Sequence, residues 1–179
     1  MKKKIIFILN PISGTVSKAG IPKLIEERLD KETFDYDIAE TEYAGHATEL
    51  AKKAAEKGVD IVVAIGGDGT VNEVGRALIN TETAMAILPC GSGNGLARHL
   101  RLPMNLKKCI DIINMCDIHS LDYGIINQHP FFCTCGMGFD AFISMKFANA
   151  GKRGPITYVQ QVLEEGVKYV PETYEIEDE

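Results

Sequence analysis

The sequence predicts an α/β fold: a parallel sheet with helices on both faces, followed by a second, β-rich domain that is left incomplete. Three observations predict it. Continuous apolar runs such as Ile5-Ile6-Phe7-Ile8-Leu9 and Ile61-Val62-Val63-Ala64-Ile65 mark strands buried on both faces. Segments with helical spacing of apolar residues separate these runs. Past residue 117 the alternation gives way to hairpin-like segments.

Taken in order, Ile5 to Leu9 is the first strand. Ile21 to Leu29 places apolar residues at Ile21, Leu24, Ile25 and Leu29, the spacing of one helix face. Tyr36 to Thr41 is a second strand. Ala44 to Lys57, rich in Ala, Glu and Lys, is a helix that Gly58 stops. Ile61 to Ile65 is the third strand, Asn72 to Ile79 a helix, and Ala84 to Leu88 a fourth strand ending at Pro89. Leu106 to Met115 is a further amphipathic helix. This alternation implies right-handed crossovers and a Rossmann-like parallel sheet over residues 1–117.

Residues 118–179 are expected to begin a second domain. Ser120 to Asn127 and Pro130 to Cys135 read as two strands around a turn at Gln128-His129. Phe139 to Ala148 and Thr157 to Tyr169 read as helices, parted by a Gly151-Lys152-Arg153-Gly154-Pro155 breaker. Thr173 to Glu177 alternates like a half-exposed strand.

Composition bounds the function. The 179 residues include 45% hydrophobic types, enough for a packed core and against disorder. Lys and Arg number 19 and Asp and Glu 25, a net charge of −6, so a nucleic-acid partner is not expected. No apolar run approaches the ~20 residues of a membrane span. Lys2-Lys3-Lys4 before Ile5 resembles a signal peptide only briefly, because the apolar stretch stops at Asn10-Pro11. The five cysteines are too scattered for a disulfide scaffold and read as reduced thiols of a cytoplasmic protein. Neither they nor His46, His99, His119 and His129 show zinc-ligand spacing.

In an open α/β sheet, ligands bind beyond the carboxyl ends of the strands. The polar, Gly-containing segments fall there. Asn10-Pro11-Ile12-Ser13-Gly14 follows the first strand and Thr41-Glu42 the second. Gly66-Gly67-Asp68-Gly69-Thr70 follows the third, and Pro89-Cys90-Gly91-Ser92-Gly93-Asn94-Gly95 the fourth. Glycines let backbone approach a phosphate, consecutive N–H groups form an anion nest, and helix N-termini add positive potential. Asp68 is an acid amid these loops; its expected use is a magnesium–water cluster or a phosphate-bound water. Thr70, Ser92 and Asn94 supply uncharged hydrogen bonds. Any one loop read alone is equally a turn with a helix cap, and Ser92 or Asn94 equally a capping residue. The fourth loop lacks the third Gly of the dinucleotide fingerprint, since Leu96 stands there. Cys90 occupies the first Gly position of a hydrolase elbow, so Ser92 is not an elbow serine. Cys90 itself reads as a packed thiol.

Together the loops resemble the diacylglycerol kinase catalytic-domain family, which includes bacterial lipid kinases and the sphingosine and ceramide kinases. The resemblance rests on Asn10 to Gly14, on Gly66 to Glu73, and on Leu88 to Ala97. Gly45-His46-Ala47 is a further family-like piece, and Gly136-Met137-Gly138-Phe139-Asp140-Ala141 resembles the start of the family's second domain. Gly-Asp-Gly also occurs in NAD kinases and phosphofructokinases; the first and fourth loops favour the lipid kinases.

The resemblance implies ATP- and Mg2+-dependent transfer of the γ-phosphoryl group to a lipid hydroxyl, on diacylglycerol, a sphingoid base or a related lipid. It implies that Gly66, Gly67, Asp68, Gly69, Thr70, Val71, Asn72 and Glu73 wrap the nucleotide. Asn10, Ser13, Gly14, Thr41, Gly91, Ser92 and Asn94 would line the same crevice. Asp68 would meet the metal through water. Asp122 matches a family acid near the domain junction and becomes a second catalytic candidate, with a plain turn Asp as its alternative. Asn94 before a small residue is similar to the sphingosine kinase form. The family's general base and further metal acids lie in a C-terminal β-sandwich domain, so a truncated nucleotide-binding part is expected here. Lipid substrates imply peripheral membrane contact; oligomeric state stays open, with a homodimer as one option. The alternatives are an NAD kinase-like enzyme with a soluble substrate and a non-catalytic nucleotide-binding regulatory module.

Overall fold

The structure is a computed structural model that describes residues 2–14, 17–149, 155–166 and 168–177. They fall into two compact units, Met1–Cys133 and Thr134–Glu179.

In the first unit, β1 (Lys3–Leu9), β2 (Phe34–Glu40), β3 (Ile61–Gly66) and β4 (Ala84–Pro89) form one parallel sheet, ordered β2-β1-β3-β4. Leu9 pairs with Glu40 on one side and Ile65 on the other, and Ile65 pairs with Leu88. All four strands therefore end at one edge. The connections are α1 (Ile21–Arg28), α2 (His46–Glu56) and α3 (Asp68–Leu78); α4 (Gly95–His99) and α5 (Leu106–Met115) follow β4.

Strand periodicity sorts the core into two layers. Ile5, Phe7 and Leu9 pack with Ile21 and Ile25 of α1 and Ile110 and Ile113 of α5. Ile8 packs on the opposite side, with Ala47 and Ala51 of α2 and Val71 and Val74 of α3. All of β3 is buried, which is why its run is apolar without alternation. The β1-to-β2 step runs one way with α1 on the first face; the next steps run the other way with α2 and α3 on the second. A single crossover hand requires that reversal. It puts the topological switch between β1 and β3, at the edge where the polar loops emerge.

The α3 helix begins at Asp68, ahead of the expected Asn72, with extended Gly67 as its N-cap. The glycines at 67 and 69 lower the local helix signal in the sequence without preventing a first turn.

A second, two-stranded antiparallel sheet pairs β5 (Gly124–Ile126) with β6 (His129–Phe131). Its turn is Asn127-Gln128, with φ of 47° and 67°. The expected turn at Gln128-His129 is thus off by one position: both central residues must take positive φ in a two-residue hairpin, and Asn127 suits that better than His129. Arg76 Nε donates to the Pro130 carbonyl at 3.1 Å, and the Phe132 ring lies over Gly75 of α3. These contacts hold the hairpin on the first unit, which runs to Cys133.

In the second unit, α6 (Phe139–Asn149) packs against α7 (Pro155–Gly166). Ile143 is buried, and Tyr169 meets Phe139 and Phe142 with ring centroids 5.2 and 5.4 Å apart. Lys146 pairs with Glu165 at 3.4 Å. Most of the expected Gly151–Pro155 breaker, residues 151–154, lies outside the described residues. The expected strand at Thr173–Glu177 is not formed; the segment is exposed, and among the described residues no strand pairs with it to complete its backbone hydrogen bonds.

Candidate functional site

The loops at the carboxyl edge of the sheet are joined by specific contacts. Asn10 donates its amide to the Ile65 carbonyl at 3.0 Å and its Nδ2 to Thr70 Oγ1 at 3.1 Å. That ties the β1 loop to the first turn of α3. Asn10 Oδ1 accepts from the Ile12 amide, and Ser13 Oγ donates to the Asn10 carbonyl, at 3.1 and 3.0 Å. Thr41, buried, donates its amide to the Leu9 carbonyl at 2.9 Å, level with Asn10.

Glycine permits the closest approaches. Gly14 has φ +64°, and a Cβ there would lie 1.9 Å from the Cys90 carbonyl oxygen. A Cβ on Gly91 would stand 2.5 Å from Gly67 Cα, and one on Gly66 would stand 2.3 Å from Thr70 Oγ1. Gly14 and Gly91 are required where one loop meets another, and Gly66 where its own segment turns back so that Thr70 packs on it. Gly69 differs: a Cβ there would meet nothing within 4 Å. Asp68, Gly69 and Thr70 form the first turn of α3, where a helix leaves its N–H groups without intrahelical acceptors.

Asp68 has a structural task that its sequence context does not announce. Its Oδ2 accepts from the Asn94 amide at 2.9 Å and its Oδ1 from the Gly95 amide at 2.6 Å. The carboxylate thus caps α4 and clamps the β4 loop to α3. Asn94 sits at φ 54°, and its side chain closes a ring on Gly91, accepting from the Gly91 amide and donating to the Gly91 carbonyl, both at 2.8 Å. Each oxygen of Asp68 keeps a lone pair beyond the clamp.

The remaining predicted residues separate. Ser92 is exposed at the tip of the β4 loop, and Asn72 is half-buried on α3. Val71 is packed in the α2–α3 layer. Glu73 turns to α2: its Oε2 accepts from the Ala47 amide at 3.2 Å and its carbonyl from Thr48 Oγ1 at 3.0 Å. Asp122 is exposed in the irregular link before β5, with no hydrogen bond to the loops among the described residues.

Lys18 was not singled out by the sequence. It is buried, and its ammonium donates to the Ser13 carbonyl behind the β1 loop. A lysine just past a Gly-ended loop is the signal that could have marked it. Burial pushes the Cys90 thiol above its ordinary range, with nearby Lys18 pulling the other way, so Cys90 is a packed thiol and not a nucleophile. Among the described residues no three His, Cys, Asp or Glu side chains gather as a metal site. A separate groove, bordered by Lys4, Asp35, Lys53 and Lys57, lies toward the amino ends of β1 and β2 and takes no part in this edge.

The family model for the diacylglycerol kinase catalytic domain matches residues 4–126, which include all four loops. A diacylglycerol kinase of Staphylococcus saprophyticus is 34% identical over 73% of this chain and 44% of its own length. One from Bacillus subtilis is 31% identical over 76% of this chain and 46% of its own. A crystal structure of a diacylglycerol kinase from Bacillus anthracis superposes with a TM-score of 0.62 at 27% identity, over 72% of this chain and 48% of that one. The chain therefore spans about half the length of the relatives it matches. Loops and matched residues coincide, and the chain belongs to the diacylglycerol kinase catalytic-domain family.

Proposed function

We propose that the protein is an ATP-dependent lipid kinase and that these residues are its nucleotide-binding part. The observation that carries this reading is the joined edge: glycine-packed loops from β1, β3 and β4 around the open first turn of α3 at Gly69. Family membership supports it. Backbone amides at a helix start suit phosphate oxygens, and the buried Lys18 ammonium adds positive potential at the neighbouring β1 loop, where it donates to the Ser13 carbonyl.

Asp68 fits magnesium better than it fits bare phosphate. Its negative charge beside the α3 terminus opposes a phosphate unless a cation stands between them. Magnesium is usually held by one or two carboxylates, water and substrate phosphates, a set to which Asp68 can contribute one carboxylate. When bound, the ion would neutralise charge on the transferring phosphoryl group. Asn10, Thr41, Thr70 and Ser92 would then orient the nucleotide. Asp122 belongs to the proposal as the acid on the acceptor side, and residues from 118 onward as the start of the acceptor domain. Peripheral contact with a lipid acceptor is part of the proposal; among the described residues no helix is long and apolar enough to cross a membrane.

The test is phosphoryl transfer by the full-length protein from radiolabelled ATP with Mg2+, offered diacylglycerol, sphingosine and NAD together. Label in a lipid is the expected result. Label in NAD alone would establish the soluble-substrate alternative. Tight ATP binding with no transfer would establish a regulatory module.

A further inference from the structure

Most of this sheet edge is built from Gly, Ser, Asn and Thr, yet among the described residues Ile12 and Tyr43, two large side chains with apolar surface, stand exposed on adjacent loops. Ile12, after β1, is 80% exposed, and Tyr43, after β2, is 53% exposed. Tyr43 is not a loose surface aromatic. One ring face is covered by His46, stacked at 4.5 Å between centroids and 6° between planes. The phenol donates to Glu49 Oε2 at 3.0 Å, and His46 Nδ1 is fixed by the Glu42 amide at 3.1 Å. The ring is therefore held at its hydroxyl and at its back, while its side chain remains half open to solvent. The Glu49 carboxylate also raises the Tyr43 phenol above its ordinary range, so it stays neutral through physiological pH.

The position suits one ligand fragment. Two strand spacings, about 10 Å, separate β2 from β3 across the sheet. A nucleotide with its phosphates at the α3 terminus can cover that span with its ribose. A planar base then needs a rigid apolar face at the end of β2, where polar loop residues offer none.

We propose that Tyr43 is the stacking platform for the nucleotide base, with Ile12 as a flanking apolar surface. The inference rests on the nucleotide reading of the edge. Tyr43 acts on base recognition and takes no part in the chemistry, so its contribution appears for ligands that carry a base and vanishes for those that do not. His46 serves as the backing that keeps the ring in place.

The experiment is calorimetric titration of this chain, and of the full-length protein, with Mg-ATP and with inorganic tripolyphosphate plus Mg2+. Wild type is compared with Tyr43→Ala and Tyr43→Phe, each checked for an unchanged circular dichroism spectrum. Tyr43→Ala is expected to weaken ATP about tenfold, within the range of base–aromatic stacking, and to leave tripolyphosphate unchanged. Tyr43→Phe, which keeps the ring, is expected to restore ATP binding to within about twofold of wild type. Equal ATP affinity in wild type and Tyr43→Ala overturns the inference and leaves the nucleotide reading standing. Parallel loss of both ligands also overturns it, as a purely structural effect at the start of α2. Failure of folded wild type to bind ATP overturns the nucleotide reading itself, and the inference with it.

Discussion

Replacing Asn94 separates the hydrogen-bonding work of its side chain from the cost of its backbone conformation. The side chain makes two hydrogen bonds to Gly91, both at 2.8 Å, and is 8% exposed. Removing them costs about 1 kcal/mol each, so about 2 kcal/mol for Asn94→Gly. Asn94→Ala loses the same bonds and also places a Cβ residue at φ 54°, where alanine is disfavoured by about 1–2 kcal/mol. Alanine should therefore cost about 3 kcal/mol, more than glycine despite its better behaviour elsewhere. At about 4 °C per kcal/mol for a domain of this size, the alanine variant melts about 12 °C lower. Thermal unfolding by circular dichroism gives the midpoints, and amide hydrogen exchange reads the Gly91 N–H directly. A glycine variant less stable than the alanine variant would refute the backbone argument. Unchanged Gly91 protection in both would refute the hydrogen-bond argument.

The glycines of the edge should divide into two kinds. Gly14→Ala, facing the Cys90 carbonyl at positive φ, should destabilise by at least ~1–2 kcal/mol in a denaturant titration. Gly69→Ala, with open space around it, should stabilise by about 0.4–1 kcal/mol yet weaken ATP binding, because its methyl enters the space a phosphate would use. Cys109 gives a pH signature: burial first, and nearby Cys90 second, push its thiol from 9.0 up to about 11. Between those values the unfolded chain has lost the proton and the folded chain holds it, so stability falls as pH rises. Cys109→Ala should flatten the stability curve over that window; an unchanged slope would remove Cys109 as the cause.

The first unit was legible because each signal was local. Ile61 to Ile65 announces a doubly buried strand by its own composition, and Leu106 to Met115 a helix by its own spacing. The order of such segments implied the parallel sheet, and the loops after them implied the edge. Long-range partnerships were not legible. Asp68 capping Gly95 and Glu73 capping Ala47 join residues far apart in the chain, and nothing in either segment alone names the other. Asp68 read as a metal acid is compatible with Asp68 as a clamp, but only the structure reveals the clamp. Thr173 to Glu177 failed for the converse reason. Its alternation is a local permission for a strand, and a strand also needs a neighbour.

The near contact of Gly67 with Gly91 has a thermodynamic consequence for any ligand of this edge. Two flexible loops would each have to be ordered when a phosphate arrives, and that loss of conformational entropy would weaken binding. Here the backbones are in van der Waals contact and the Asp68 clamp spans the same gap. The ordering takes place once, as the domain folds. Ligand encounter then begins with loops already braced against each other, and less ordering remains to oppose binding.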